Sequence, residues 1–170
     1  MKVKIRIKAA VTDLALAEKY KNSCVDGFFR ADDGRLLPYE EIGAVCEDIM
    51  EYTASGEMLR QGDRVTIRYD EGEALGFSCT TSLLFEEGQR DALTMIRSGE
   101  MNAAFRFEKT SPRQPCTYET PIMPIEFVVN TRNIRNTVGV DGGAILLDYY
   151  LEMRGVNTER NRLLIEVQPL

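Results

Sequence analysis

The side chains that could do chemistry in this chain are carboxylates, tyrosines, lysines, arginines and thiols, because the sequence contains no histidine. Without an imidazole, neither a Ser-His-Asp nor a Cys-His arrangement can form, and the usual acid or base at neutral pH is missing. The acidic clusters Glu40-Glu41, Glu47-Asp48 and Glu86-Glu87 fall in predicted turns or on predicted helix surfaces, where solvating roles are expected. We therefore assign no catalytic residue from the sequence.

The motifs indicate no metal site and no cofactor. Four cysteines lie far apart without a CxxC pair, so reduced, buried thiols are expected instead of zinc ligands. They are Cys24, Cys46, Cys79 and Cys116. Asp32-Asp33 lacks the alternating spacing of a calcium loop. The glycines between 139 and 143 lack the lysine of a P-loop and the helix that follows a dinucleotide site, so they are expected in a hairpin turn.

Four other side chains are candidates for binding a ligand. They are Arg97, Arg106, Tyr118 and Tyr149. One of the two arginines would anchor a carboxylate or similar head group, and the tyrosines would hydrogen-bond to it. This role requires that they point into the interior of a β-barrel, so it depends on the strands that carry them.

The stretch from Thr80 to Phe107 predicts three strands joined by two tight turns. Its first six positions are rich in β-branched and aromatic residues, a polar turn with glycine follows, and an apolar run resumes at Ala92. Gly99-Glu100 fits a two-residue type II′ turn, because that turn needs a positive φ at its first central residue. The two hairpins are the centre of the predicted sheet.

This second turn decides which side chains share a face, since it would place Ser98 opposite Met101. The predicted core face carries Ala92, Thr94, Ile96, Met101, Ala103, Phe105 and Phe107. The opposite face carries Leu93, Met95, Arg97, Asn102, Ala104 and Arg106. A three-residue loop would instead turn Arg97 inward, so the sequence leaves that arginine either solvated or an inward polar anchor.

The first fifty residues predict a strand followed by short helices and a hairpin. Basic and aliphatic residues alternate from Lys2 to Val11, which is typical of a strand with one buried face. Thr12 is expected to cap a helix over Leu14–Tyr20. A hairpin is expected over Val25–Tyr39, with its turn at Asp32-Asp33-Gly34.

The segment from Ile42 to Arg60 has two possible secondary structures. Apolar residues recur with helical spacing, which favours one amphipathic helix, but Ile49 to Arg60 could equally begin a strand. The residues with that spacing are Ile42, Val45, Cys46, Ile49 and Met50.

The remaining chain predicts further strands with short connections, including a turn at Asp70–Glu73. Such a run of antiparallel neighbours closes into a barrel or folds into a sandwich. We predict a mainly β protein, a single up-and-down antiparallel barrel of about eight or more strands over residues 1–170. Residues 13–48, with short helices and a hairpin, are predicted to be inserted after the first strand.

A series of short motifs along the chain resembles a known family. The motifs are Arg97-Ser98-Gly99, Met101, Phe107, Tyr118-Glu119-Thr120, Asn130-Thr131, Gly142-Gly143, Tyr149, Leu151 and Asn161–Val167. Their order and spacing are similar to those of the YwiB-like family of uncharacterised bacterial proteins, over about Ile49–Val167 and the first strand. The resemblance implies a calycin-like, lipocalin-like β-barrel in a small cytoplasmic protein, and it supplies no catalytic residues. Residues 13–48 depart from the family pattern.

Composition argues against two kinds of partner. The net charge of −6, without a long basic block, argues against nucleic acid as a partner. No apolar run approaches the ~20 residues of a membrane helix, and the first residues alternate where a signal peptide would be continuously apolar. We expect a cytoplasmic protein without a membrane partner.

Three functions are compatible with these patterns. An eight-stranded barrel is just wide enough to be filled by side chains or to hold one small ligand. The first hypothesis is a non-enzymatic barrel that binds a small, largely apolar ligand in its lumen. The second is a protein-interaction module with a filled barrel. The third, with the least support, is a histidine-free enzyme that uses a carboxylate in the barrel mouth. The oligomeric state is not indicated.

Overall fold

Alternation of apolar and polar side chains begins at Lys2 and recurs along the chain. The computed structural model, which describes residues 1–72, 76 and 78–170, folds these residues into twelve strands and two short α-helices. The elements are β1 Lys2–Asp13, α1 Leu14–Asn22, β2 Phe28–Arg30, β3 Leu36–Pro38, a 3₁₀ turn Tyr39–Glu41, α2 Ile42–Val45, β4 Glu47–Gln61, β5 Arg64–Asp70, β6 Cys79–Glu86, β7 Gln89–Gly99, β8 Ala103–Glu108, β9 Arg113–Glu119, β10 Pro124–Asn136, β11 Gly143–Met153 and β12 Val156–Pro169.

Ten of these described strands form a nearly closed antiparallel barrel. Their order is β8-β7-β6-β5-β4-β1-β12-β11-β10-β9, so β1 lies between β4 and the last strand. The remaining gap separates β8 from β9, which follow each other in the chain. It is bridged at one end, where the amides of Asn102 and Glu119 donate to each other's carbonyl oxygens over 3.0 and 2.7 Å. The predicted up-and-down barrel is therefore confirmed.

The strand directions give the barrel two ends. The upper end carries residues 14–46 and the connections that follow β5, β7, β9 and β11, and the lower end carries the other connections. We call residues 14–46 the helix–hairpin segment. It contains α1, the β2–β3 hairpin and α2, and it has its own small core around Tyr20 and Phe29, whose ring centroids lie 4.8 Å apart.

Two predictions for this part of the chain need correction. The cap of α1 is Asp13 and not Thr12, because the Asp13 carboxylate accepts a hydrogen bond from the Leu16 amide over 2.9 Å. The amphipathic helix is limited to Ile42–Val45, and the alternative of a strand is correct from Glu47 onward. Pairing of Met50 with Ala9 explains this outcome, since the long first strand supplies a template for β4.

The predicted turn between β7 and β8 is wrong. Arg97 pairs with Ala103, so residues 98–102 connect the strands, where a two-residue turn was expected. The Asn102 side chain accepts from the Gly99 amide and donates to the Gly99 carbonyl, both over 3.2 Å, and holds this wider loop. Arg97 consequently faces inward.

The core face of β7 is corrected by the same register. Leu93 and Met95 are buried with Ala103, Phe105 and Phe107. Thr94 and Ile96, which were predicted inside, belong to the outer face. One further prediction, the turn at Asp70–Glu73, includes Glu73, which lies outside the described residues.

The cysteines and helices add little to the site. All four cysteines are free, and burial raises the pKa of the Cys46, Cys79 and Cys116 thiols. In the described part of the chain, no helix is long and apolar enough to cross a membrane.

Candidate ligand-binding cavity in the upper barrel

The barrel interior changes from apolar to polar towards its upper end. Rows of residues that pair across neighbouring strands show where this change occurs. Directly paired residues of antiparallel strands point to the same face. One lower row is apolar throughout and consists of Met58, Ile67, Leu83, Met95 and Phe105 across β4 to β8. The next row above reads Gly56, Tyr69, Thr81, Arg97 and Ala103. Polar side chains therefore enter the lumen near its upper end.

A buried ion pair lies at the centre of this upper region. The Glu71 amide donates to the Cys79 carbonyl over 2.8 Å, which extends the pairing of β5 by one residue and turns the carboxylate inward. Glu71 is only 2% exposed. Its Oε2 lies 3.0 Å from Nη2 of Arg97, and its Oε1 accepts from the same nitrogen over 3.3 Å. The Tyr52 hydroxyl also donates to Oε1, over 3.2 Å.

Burial and this ion pair fix the charges of the region. Burial raises the pKa of the Tyr52, Tyr69 and Tyr149 hydroxyls, and the Glu71 carboxylate adds to the rise for Tyr52 and Tyr69. For Arg97, burial acts to lower the pKa, but the attraction of the Glu71 carboxylate opposes it, and the pKa is raised. The tyrosines are neutral hydrogen-bonding groups and the arginine is a cation.

The ion pair lines a cavity of about 280 Å³. We call its polar lining the polar collar, which consists of Tyr52, Tyr69, Glu71, Arg97, Tyr149 and Asn161. Its apolar walls include Ile7, Ala9, Met95, Phe105 and Leu163. Met50 also lines it and is 44% exposed, so the cavity reaches solvent on this side.

Larger hollows elsewhere do not compete as sites on chemical grounds. One of about 460 Å³ lies along β1, β11 and β12, one of about 580 Å³ lies beside β4 and Lys4, and one of about 1090 Å³ runs along β9, β10 and β11. None of these three contains an ion pair as deeply buried as Glu71 with Arg97. In the described residues, no group of three or more acidic or cysteine side chains could hold a metal ion.

Three of the four candidate residues come together in this region. Arg97 and Tyr149 line the cavity, and Tyr118 lies behind its wall, with its ring centroid 6.1 Å from that of Phe105. Arg106 does not reach it. That arginine lies outside the barrel, where Nη1 donates to Thr94 Oγ1 over 3.0 Å and Nε lies 3.4 Å from Glu108 Oε2.

Sequence reasoning named two of the six collar residues, Arg97 and Tyr149. Tyr69 was not named as a candidate, and Glu71 was assigned to the turn at Asp70–Glu73. The signal was present, since Val65, Ile67, Tyr69 and Glu71 keep a spacing of two. Tyr52 and Asn161 were also missed, because neither stands out in an alternating segment.

The fold and the cavity define an antiparallel β-barrel protein with a mostly apolar interior and a polar collar at one end. The profile of a domain of unknown function, DUF1934, matches residues 38–165, and the chain belongs to this family. The match begins within the helix–hairpin segment, so whether residues 13–48 are an insertion stays a prediction.

Solved structures support the fold. The crystal structure of the ywiB protein from Bacillus subtilis is similar with a TM-score of 0.67 and 15% identity, over 99% of this chain and 92% of that chain. The resemblance to the YwiB-like family is thereby confirmed. A second structure is that of the enduracididine biosynthesis enzyme MppR, complexed with the condensation product of pyruvate and imidazole 4-carboxaldehyde. It is 8% identical over 98% of this chain and 86% of that chain, and its TM-score of 0.17 is too low to indicate a shared fold. A comparison with curated proteins found no match.

Proposed function

We propose that this protein binds one small, largely apolar molecule in the upper cavity, as a cytoplasmic binding protein and not as an enzyme. The observation that carries the proposal is the Glu71–Arg97 pair, buried at the edge of a cavity of about 280 Å³. Aromatic and aliphatic walls with a few polar groups are typical of small-molecule sites.

The cost of the ion pair supports this proposal. Burying two charges is expensive, and replacing such a pair with apolar side chains is often neutral or stabilising. Most inward positions below the collar hold apolar residues, so the same barrel could close its upper end in that way. An ion pair with a cavity beside it is therefore better explained by binding than by stability.

Unused hydrogen-bonding capacity points in the same direction. Within the described residues, the Arg97 side chain donates one hydrogen bond, from Nη2 to Glu71 Oε1, while its Nε is buried without a partner. The side chain keeps 25% of its surface exposed. A guanidinium group carries five N–H donors, so donors remain for a bound molecule or water. The raised pKa of the Tyr149 hydroxyl, which burial causes, keeps it available as a neutral partner.

Native mass spectrometry with a blocked cavity tests the proposal. The protein would be purified gently from a bacterial host, incubated with a small-molecule extract of that host and weighed without unfolding. We expect a discrete added mass that disappears after unfolding and extraction. Ala9 lies on the inner face of β1 and lines the cavity, so Ala9→Phe should abolish the added mass.

Ala144→Phe is the matched control, because Ala144 pairs with Glu166 on the outer face of the barrel. It should retain the added mass. A mass that persists in Ala9→Phe, or that never forms in the wild type, would contradict binding in the upper cavity.

A protein-interaction role is the second candidate, and one observation favours it. Four large apolar side chains on the helix–hairpin segment are about half exposed or more: Val25, Phe28, Leu36 and Tyr39. The pairing of β2 with β3 places Phe28 and Leu36 on the same face of the hairpin, opposite the buried Phe29. Exposed apolar clusters of this kind mark interaction surfaces.

Affinity capture from a bacterial lysate tests this second candidate. The wild type would be compared with a variant carrying Val25→Ser and Phe28→Ser. A partner retained by the wild type and lost by the variant would support an interaction surface, whereas equal recovery from both would count against it.

A further inference from the structure

The charge balance of the polar collar restricts the kind of molecule that the cavity can hold. Glu71 and Arg97 neutralise each other, and the buried tyrosines are neutral because burial raises their pKa. The other ionisable group that lines the cavity in the described chain, Arg162, is half exposed and paired with Glu47. The collar therefore has no net charge to offer a ligand.

An added charge in this cavity would lack a free partner. A carboxylate that approached Arg97 would also approach Glu71, whose Oε2 lies 3.0 Å from Nη2 of that arginine. A cation that approached Glu71 would meet Arg97 in the same way. Burying a charge without a counter-charge is strongly unfavourable. The sequence-based expectation of a carboxylate head group did not include Glu71.

The hydrogen-bonding groups of the collar suit a head group that both donates and accepts. Arg97 supplies donors only, and the ionised Glu71 accepts only. Arg97 and Glu71 lie next to each other. A planar head group with a hydrogen-bond acceptor beside a hydrogen-bond donor can therefore bond to both side chains. A carboxamide or a lactam-like heterocycle has this arrangement.

The walls of the cavity suit a flat apolar body. Tyr52, Tyr69, Phe105 and Tyr149 line it together with aliphatic side chains. Aromatic rings pack well against such walls in offset or tilted arrangements. The volume of about 280 Å³ leaves room for a small ring system and not for a long acyl chain.

We propose that the upper cavity selects neutral, planar molecules with a carboxamide-like head group, in preference to carboxylates or cations of the same shape. This inference rests on the proposed function, since it concerns the ligand of the same cavity. It assigns the Glu71–Arg97 pair as the element that sets this preference.

Three probes of the same shape test this preference. Benzamide, benzoate and benzamidine share a phenyl ring and a planar head group, and they are neutral, anionic and cationic at about pH 7.5. We expect benzamide to bind at least about tenfold more tightly than either ion, because the ions would be buried without a free partner. Isothermal titration calorimetry on the full chain gives the three affinities.

Charge variants of the collar make the test specific. Glu71→Gln leaves Arg97 unpaired, so benzoate should gain about tenfold or more and become the preferred probe. The double variant Glu71→Gln with Arg97→Gln is neutral again and should prefer benzamide, and it serves if the single variant does not fold. Arg106→Gln, outside the barrel, should leave all three affinities unchanged.

The outcomes separate this inference from the proposed function. A wild type that prefers benzoate or benzamidine, or a Glu71→Gln variant that keeps the original order, would overturn the charge preference while binding itself stands. Binding that survives Ala9→Phe would place the probes elsewhere and overturn both. Failure of all three probes, when native mass spectrometry detects a bound molecule, would overturn the carboxamide preference alone.

Discussion

The lower and upper halves of the barrel interior are formed by the same strands but hold different chemistry. In the lower half most inward side chains are apolar, and Val65, Leu83 and Ile165 are fully buried. The polar exceptions there include Arg60, which pairs with Val65 and forms an ion pair with Glu87, and Asn136. In the upper half the same inward positions carry tyrosines, an arginine and a carboxylate around a cavity. We expect the packed lower half to contribute more to the free energy of unfolding than the upper half, where polar groups surround a cavity.

Barrel width explains why one chain can do both. The diameter of a barrel grows with its number of strands, and eight already give an interior that side chains just fill. Ten strands enclose more space, so large apolar residues fill the lower part and leave a cavity above. The lower end is also held by Arg90, whose guanidinium donates to the Val138 carbonyl and lies 5.9 Å from the Phe85 ring.

The largest effect is expected from a truncation in the lower half. Leu83 is fully buried, so Leu83→Ala should reduce the free energy of unfolding by about 3–5 kcal/mol through lost burial and a residual cavity. Urea unfolding measures the change. Leu59→Ala removes the same atoms from a side chain that is 55% exposed, and it should cost less than ~1 kcal/mol. Similar losses in both variants would mean that the lower half is not tightly packed.

The second effect concerns the ion pair of the upper half. Arg97→Met leaves the Glu71 carboxylate buried without its partner, and we expect a loss of about 2–3 kcal/mol, reduced from the fully buried case because Arg97 is partly exposed. Adding Glu71→Met should restore the free energy of unfolding to within ~1 kcal/mol of the wild type or above it. If the double variant loses as much as the sum of the singles, the pair contributes to stability and the contrast between the halves fails.

The third prediction concerns the upper half, where a buried tyrosine should make the free energy of unfolding depend on pH. Burial raises the pKa of Tyr149 above its ordinary value of 10.0. Above about pH 10 the unfolded chain releases that proton and the folded protein keeps it, so the free energy of unfolding falls as pH rises, by up to ~1.4 kcal/mol per pH unit for one such group. The stabilisation is fully present below pH 10.

Tyr149→Phe tests this dependence directly. The variant should lose less stability than the wild type between about pH 10 and 11, although its free energy of unfolding at neutral pH is slightly lower. Urea unfolding at several pH values gives both slopes. The buried thiols contribute equally to the two proteins, so identical slopes would mean that Tyr149 is not held neutral by burial.

Much of the fold could be predicted because strand alternation is a local signal. The inward set Val65, Ile67 and Tyr69 follows from spacing alone, and so does the buried face of β1. The facing of Arg97 could not be predicted in the same way. It depends on a loop that is held by Asn102, whose backbone also bridges to Glu119 across the gap of the barrel, and sequence spacing does not contain that contact.

The candidate site was harder to predict than the fold for the same reason. Glu71 looks like part of a polar turn, and its backbone bond to Cys79 continues the pairing one residue past β5 and turns its side chain inward. Its pairing with Arg97 joins positions 26 residues apart. Polar side chains are expected on the outside of a barrel. Inward polar residues such as those of the collar therefore depart from the alternation by which strands are predicted.

The smallest effect is expected at Arg106, which the sequence analysis named with Arg97 as a candidate ligand anchor. Arg106 lies on the outer face, where its contacts with Thr94 and Glu108 are partly exposed. Arg106→Ala should therefore change the free energy of unfolding by no more than ~0.5 kcal/mol. A loss as large as that of Arg97→Met would show that charge on either face of the barrel matters equally. The comparison between the two arginines, one residue type on two faces of adjacent strands, isolates the effect of the polar collar.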